Sequence, residues 1–213
     1  MNLLEKKAQE FKKGNNEQFN KNETQIDCFF VANKFIELNN LRKNKNSFHF
    51  SIRRLQRLVL LVEICYMQLH DKALFKQDWE NYAEVNGLAI HEMYAYFANR
   101  SGEITQTRKI WYPPYYKLPQ SEYERKMDRQ LNEELNRIVE NVYNITEFVD
   151  SVDLINMLRV DFPECLSVPK HYAGMGGDFP IDKQIIYAQY KDFNFNALKE
   201  LNDSESVKFN QNL

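Results

Sequence analysis

One uninterrupted apolar helix limits what this chain can fold into. Residues 50–75 read FSIRRLQRLVLLVEICYMQLHDKALF. Leu55, Leu58, Val59, Val62, Tyr66 and Leu69 recur there at helical spacing, which predicts one buried stripe. A helix of this length must be covered by other elements, so the chain needs several more helices packed against it. Arg53, Arg54 and Arg57 fall near its start.

The rest of the chain supplies those partners. Phe29, Ala32, Asn33 and Ile36 mark the buried side of a helix over 25–39. The weak alternation of 79–85 predicts a short strand, and Gly87 separates it from a helix over 88–99 carrying Ile90, Met93, Tyr94 and Phe97. Residues 103–112 (EITQTRKIWY) alternate β-branched and aromatic residues, which predicts a strand or hairpin beside the Trp79 segment, stopped by Pro113 and Pro114. Ser121 with Glu124 three residues on has the form of a capping box. A long helix is expected from there, with Met127, Leu131, Leu135, Ile138, Val139 and Val142 inward. Thr146 is expected to cap a further helix to Leu158, and 181–192 returns to helical patterning. The expected architecture is mainly α: a single compact helical domain over 25–200 with a small β-hairpin or short sheet. Residues 1–24 read as a mobile segment with a possible short helix, and 201–213 as a frayed tail.

Bulk properties exclude little. At 213 residues the chain fits one domain with tails, and its net charge of −2 exerts no global pull on nucleic acid or anionic lipid. No apolar run reaches the ~20 residues that span a bilayer. Without a secretion-type segment, the expected compartment is the cytoplasm. Cys28, Cys65 and Cys165 are odd in number and widely spaced, which suits packing better than chemistry.

Each catalytic or metal-binding pattern that the chain suggests is incomplete. His91-Glu92 lacks a second His four residues on, where Ala95 stands. The run 174–178 (GMGGD) lacks the Lys and Ser/Thr of a phosphate loop and reads as a permissive turn. Glu133-Glu134 and Asp150/Asp153 read as solvated helix faces. No catalytic residue, metal ligand or cofactor is assigned. Arg53, Arg54 and Arg57, with Arg42, Lys43 and Lys45 nearby, form the one basic cluster, a candidate for an acidic partner or a phosphate and otherwise a solvated helix end. Nucleic-acid binding ranks below protein binding, because the cluster is short and the chain mildly acidic. Trp111, Tyr112, Tyr115 and Tyr116 surround Pro113-Pro114, and these aromatics either cover the core or form a contact patch.

The order of motifs resembles one known family. Leu55, Gln56, Arg57 and Leu58 stand where that family carries a Leu-Gln-Lys-Leu helix, and Lys72 to Phe75 resemble its Leu-Phe step. Ala83 matches the first member of an Ala-Trp pair, with Glu84 at the Trp position. Gly87 to Tyr94 track its Gly-Pro-Val segment, with Leu88 for Pro. On these residues the chain is similar to the Panacea domain, the SocA-like and GepA-like phage-associated family. The resemblance implies an antitoxin that neutralises, by direct binding, a toxin encoded next to it. The partner would be that toxin or another protein, with a protease added if the chain is an adaptor, in a bacterial or phage-infected cytoplasm and without a membrane. A phage-encoded protein that binds a host defence or replication factor is the alternative. An enzyme and a nucleic-acid regulator rank lower.

Overall fold

The computed structural model describes residues 26–42, 50–82, 87–98, 103–112, 116–158 and 180–211. The N-terminal segment, Lys43, Lys45, Glu84, Cys165 and the Gly174 run lie outside these residues. The described elements are mainly helical, in one hydrophobic core.

Helix α1 (Cys28–Leu41) begins where the Asp27 carboxylate accepts from the Phe29 N–H at 3.0 Å. It is buried on every side over its first nine residues, not along one stripe. Helix α2 (Ile52–His70) starts on Ser51, whose hydroxyl accepts from Arg54 N–H. Its predicted stripe is buried except for Leu69, which is exposed. From Arg54 to Ile64 the helix shows no wet face at all. It ends at Asp71, which adopts a left-handed conformation with φ 54°. Asp71 accepts from the Tyr187 hydroxyl there.

Strands β1 (Trp79–Tyr82) and β2 (Gly87–Ala89) form a hairpin, and β5 (Pro180–Ile181) pairs with the other edge of β1. Residues 87–89 are thus strand rather than helix; α3 (His91–Phe97) begins two residues later, with Met93 and Phe97 buried. A separate hairpin joins β3 (Ile110–Tyr112) to β4 (Tyr116–Leu118), in register Ile110↔Leu118, Trp111↔Lys117 and Tyr112↔Tyr116. It forms its own two-stranded sheet and does not join β1, whose two edges pair with β2 and β5.

The expected long helix from Ser121 is two. Helix α4 (Gln120–Lys126) follows Pro119, so Ser121 lies inside it, and Met127 turns extended. Helix α5 (Arg129–Asn144) then starts on Asp128, whose carboxylate accepts from Leu131 N–H at 3.0 Å. Leu135, Ile138, Val139 and Val142 face the core, while Met127 and Leu131 are partly covered. The cap of α6 (Ser151–Met157) is Asp150 rather than Thr146, which is buried and donates to Val142 O. Helix α7 (Lys183–Tyr190) is shorter than expected, since Ile181 belongs to β5. Helix α8 (Phe195–Gln211) continues through the residues expected to fray. Asn202 is buried there, accepting from Phe148 N–H at 2.8 Å and donating to Asn144 O.

One acidic side chain lies wholly inside this core. Glu63 of α2 accepts from Phe75 N–H at 3.1 Å, while Lys183 donates to Phe75 O. Burial pushes the Glu63 carboxyl up to about 8, against the opposing pull of Lys183 and the Phe75 and Leu74 N–H groups. An unfolded Glu ionises near its ordinary 4.5, so the folded state holds the proton over a window where the unfolded state has lost it. The stability from this group is therefore complete below about pH 4.5 and is lost as pH rises through about 8. Urea unfolding from pH 5 to 8 should show declining stability in the native chain. The decline should flatten in Glu63→Gln, which keeps an acceptor for Phe75 N–H. An unchanged slope in the variant would remove Glu63 as its source.

Candidate functional site

An extended segment laid along α1 builds a cleft in which charged groups converge. Residues 103–109 run antiparallel to α1, pinned by three asparagines of that helix. Asn39 Nδ2 donates to Glu103 Oε1 at 3.2 Å, and Asn40 Nδ2 to Thr105 O at 2.8 Å. Asn33 holds both backbone groups of Arg108: its Nδ2 donates to Arg108 O at 2.6 Å, and its Oδ1 accepts from Arg108 N–H at 2.9 Å. Seven residues of helix and three of extended chain both advance about 10 Å, so Asn33 and Asn40 match Arg108 and Thr105 without strain. Gln120 locks the clamp, accepting from Asn33 Nδ2 and donating to Phe30 O.

So fixed, Arg108 lays its guanidinium 4.0 Å from the ring centre of Phe29 and 4.5 Å from that of Tyr96. These rings meet edge to face, with centres 5.8 Å apart. The guanidinium forms one wall of a cleft of about 310 Å³, also lined by Asp27, Lys76, Gln77, Glu92, Lys109 and Lys117. Lys109 and Lys117 flank Ile110 and Leu118, which are paired and buried, so the alternation of the hairpin turns the two lysines to its other face. The charge of Asp27 is already engaged: Oδ2 lies 2.8 Å from Lys76 Nζ, and Oδ1 accepts from Gln77 Nε2 and Phe29 N–H. Arg108, Lys109 and Lys117 line the same cleft as Glu92. The Cys28 thiol is fully buried, and burial first, with Asp27 next, holds it well above its ordinary range, which favours the protonated thiol.

The sequence-predicted residues are dispersed. Only Arg53 of the helix-start arginines is exposed. Arg54 and Arg57 are buried, which corrects their reading as a surface cluster or a solvated helix end. Arg54 donates to Val149 O at 2.5 Å and Thr146 O at 2.6 Å, and Arg57 to Leu88 O at 2.6 Å. Burial pulls both guanidinium groups down to about 10, which leaves them charged at neutral pH. Gln56 binds both backbone groups of Ile90, at 3.1 and 3.0 Å. The Leu55–Leu58 motif and the Gly87–Tyr94 motif are therefore hydrogen-bonded to each other, with Leu55 and Leu58 in the core and Tyr94 packed on Ala89. Backbone pairing places Trp111, Tyr112 and Tyr116 on the β3–β4 hairpin, while Tyr115 lies outside the described residues. Of the acidic pairs, Glu133 meets Arg129 and Glu134 meets His70 at 2.7 Å, and Asp150 is a cap. No group of side chains suited to hold a metal occurs among the described residues. Nor is any described helix long and apolar enough to cross a membrane.

Arg108 was missed by sequence reading, because one Arg in a polar stretch carries no periodic signal. Comparison with family models, curated proteins and solved structures gave no match.

Removing Arg54 or Arg57 strands buried carbonyls that have no water to turn to. Arg54→Ala and Arg57→Ala should each cost about 3 kcal/mol or more in urea unfolding. Arg53→Ala should stay within about 0.5 kcal/mol of the native chain. Equal effects at all three positions would contradict the assignment of Arg54 and Arg57 as internal struts.

Proposed function

We propose that this chain is a protein-interaction module that neutralises a toxin encoded beside it by direct binding. Its contact surface is the β3–β4 hairpin together with the basic cleft at the hairpin's base. The observation that carries this reading is the placement of Lys117 on β4 and of Lys109 just before β3, lining the same cleft as the clamped Arg108. Charge and aromatic sequence thus meet on one element, and interfaces are enriched in Arg, Tyr and Trp for reasons of area and low ordering cost. The resemblance to the Panacea family adds the antitoxin role. Of its two main motifs, Leu55–Leu58 lies in the core, while the Gly87–Tyr94 segment contributes Glu92 to the cleft wall.

Neutralisation requires only a complementary surface of standard size, about 1,600 Å² in total. Expression of the adjacent gene alone should arrest growth, and co-expression of this chain should restore it. Co-purification of the pair would indicate occlusion, whereas disappearance of the toxin without a stable complex would indicate delivery to a protease. A harmless neighbour, or failed rescue, would end the antitoxin reading. In a titration of the purified pair, Tyr112→Ala with Tyr115→Ala should weaken binding about tenfold or more. Unchanged affinity would remove the hairpin from the interface.

A further inference from the structure

The cleft specifies the kind of group it takes. We propose that it reads a carboxylate: Arg108 binds an Asp or Glu side chain in an acidic segment of the protein partner, with Lys109 and Lys117 flanking it. This rests on the interaction reading above and names the partner's chemistry.

The geometry suits a carboxylate. Both Arg108 backbone groups are held by Asn33, and its guanidinium lies 4.0 Å from the ring centre of Phe29 and 4.5 Å from that of Tyr96. A guanidinium held against aromatic rings presents a planar N–H fork, which matches the two oxygens of a carboxylate. Lys109 and Lys117 add charge without direction. The wall also holds Glu92, and Asp27 beside Lys76. At about 310 Å³ the cleft has room for one or two side chains. A nucleic-acid backbone needs a longer basic track, and its binding is dominated by repeated phosphate contacts.

The test uses the full purified chain and a fluorescein-labelled peptide of eight glutamates, with an eight-glutamine peptide as the neutral control. In anisotropy titrations at low salt, the glutamate peptide should bind and the glutamine peptide should not. Arg108→Gln should weaken binding about 10- to 100-fold. Arg108→Lys should weaken it nearly as much, because it keeps the charge and loses the fork. Lys109→Glu with Lys117→Glu alters two exposed residues and should also abolish binding, while the thermal melt is retained. Wild-type affinity in Arg108→Lys would reduce the cleft to nonspecific charge and overturn the proposal. So would equal binding of both peptides, absence of binding, or displacement by inorganic phosphate well below the concentration at which acetate competes. The two readings fail separately. Glutamate-peptide binding without growth rescue ends the antitoxin role and keeps the carboxylate site. Full rescue by Arg108→Gln keeps the antitoxin role and removes the cleft from it.

Discussion

Everything in this structure leans on helix α2, and on the use of its polar side chains as backbone partners for the chain around it. A central helix wrapped by loops and short strands poses an accounting problem, since buried N–H and C=O groups in irregular chain have no ladder to join. Arg54 takes Thr146 O and Val149 O between α5 and α6. Gln56 and Arg57 take Ile90 and Leu88, Glu63 takes Phe75 N–H, and Gln68 takes Tyr190 O and Phe193 O. Four segments outside the helix are thereby referenced to one rod. Each of these bonds contributes only about 1–3 kcal/mol, yet an unmade one would cost as much again inside the core.

That solution explains what sequence reading saw and what it misassigned. Apolar period alone located α1, α2 and the buried side of α5, because hydrophobic burial dominates in long elements. It read Arg54 and Arg57 as exposed because charge normally avoids the core. Their neighbours held the contrary signal. From Leu55 to Ile64 apolar residues occupy every side of the helix, so arginines embedded in that run had no solvated face to occupy. Leu69 errs the other way, exposed near the helix end, where its neighbour Gln68 turns inward to Tyr190. Ser121 and Thr146 were mistaken for caps because residue type was read without the break that decides position. Met127 is extended, so Asp128 becomes the cap of α5.

The cleft was illegible for a different reason. Arg108, Lys109 and Lys117 lie in segments whose local patterns speak only of extended chain. Their convergence depends on α1, where the asparagines that hold residues 103–109 look like ordinary polar positions. Asn33 was placed on a buried side, but a buried Asn announces only that it has partners. Which backbone it holds is a matter of register, and that register follows from equal advance along helix and strand.

The same register bears on how the face would work. Arg108 is fixed through its peptide by Asn33, through Asn33 by Gln120, and through its guanidinium by two rings of the core. The hairpin begins two residues later at Ile110, which is buried, and returns through Leu118 into α4. Its strands are anchored at the base by these two side chains and by the clamped segment that precedes them. Under the proposed interaction role, a partner would meet the Arg108 guanidinium already held in place, and ordering cost is among the main terms opposing association. The asparagine clamp on α1 thus links packing to recognition. It satisfies buried backbone groups as the α2 side chains do, and it also holds the one guanidinium that faces the cleft.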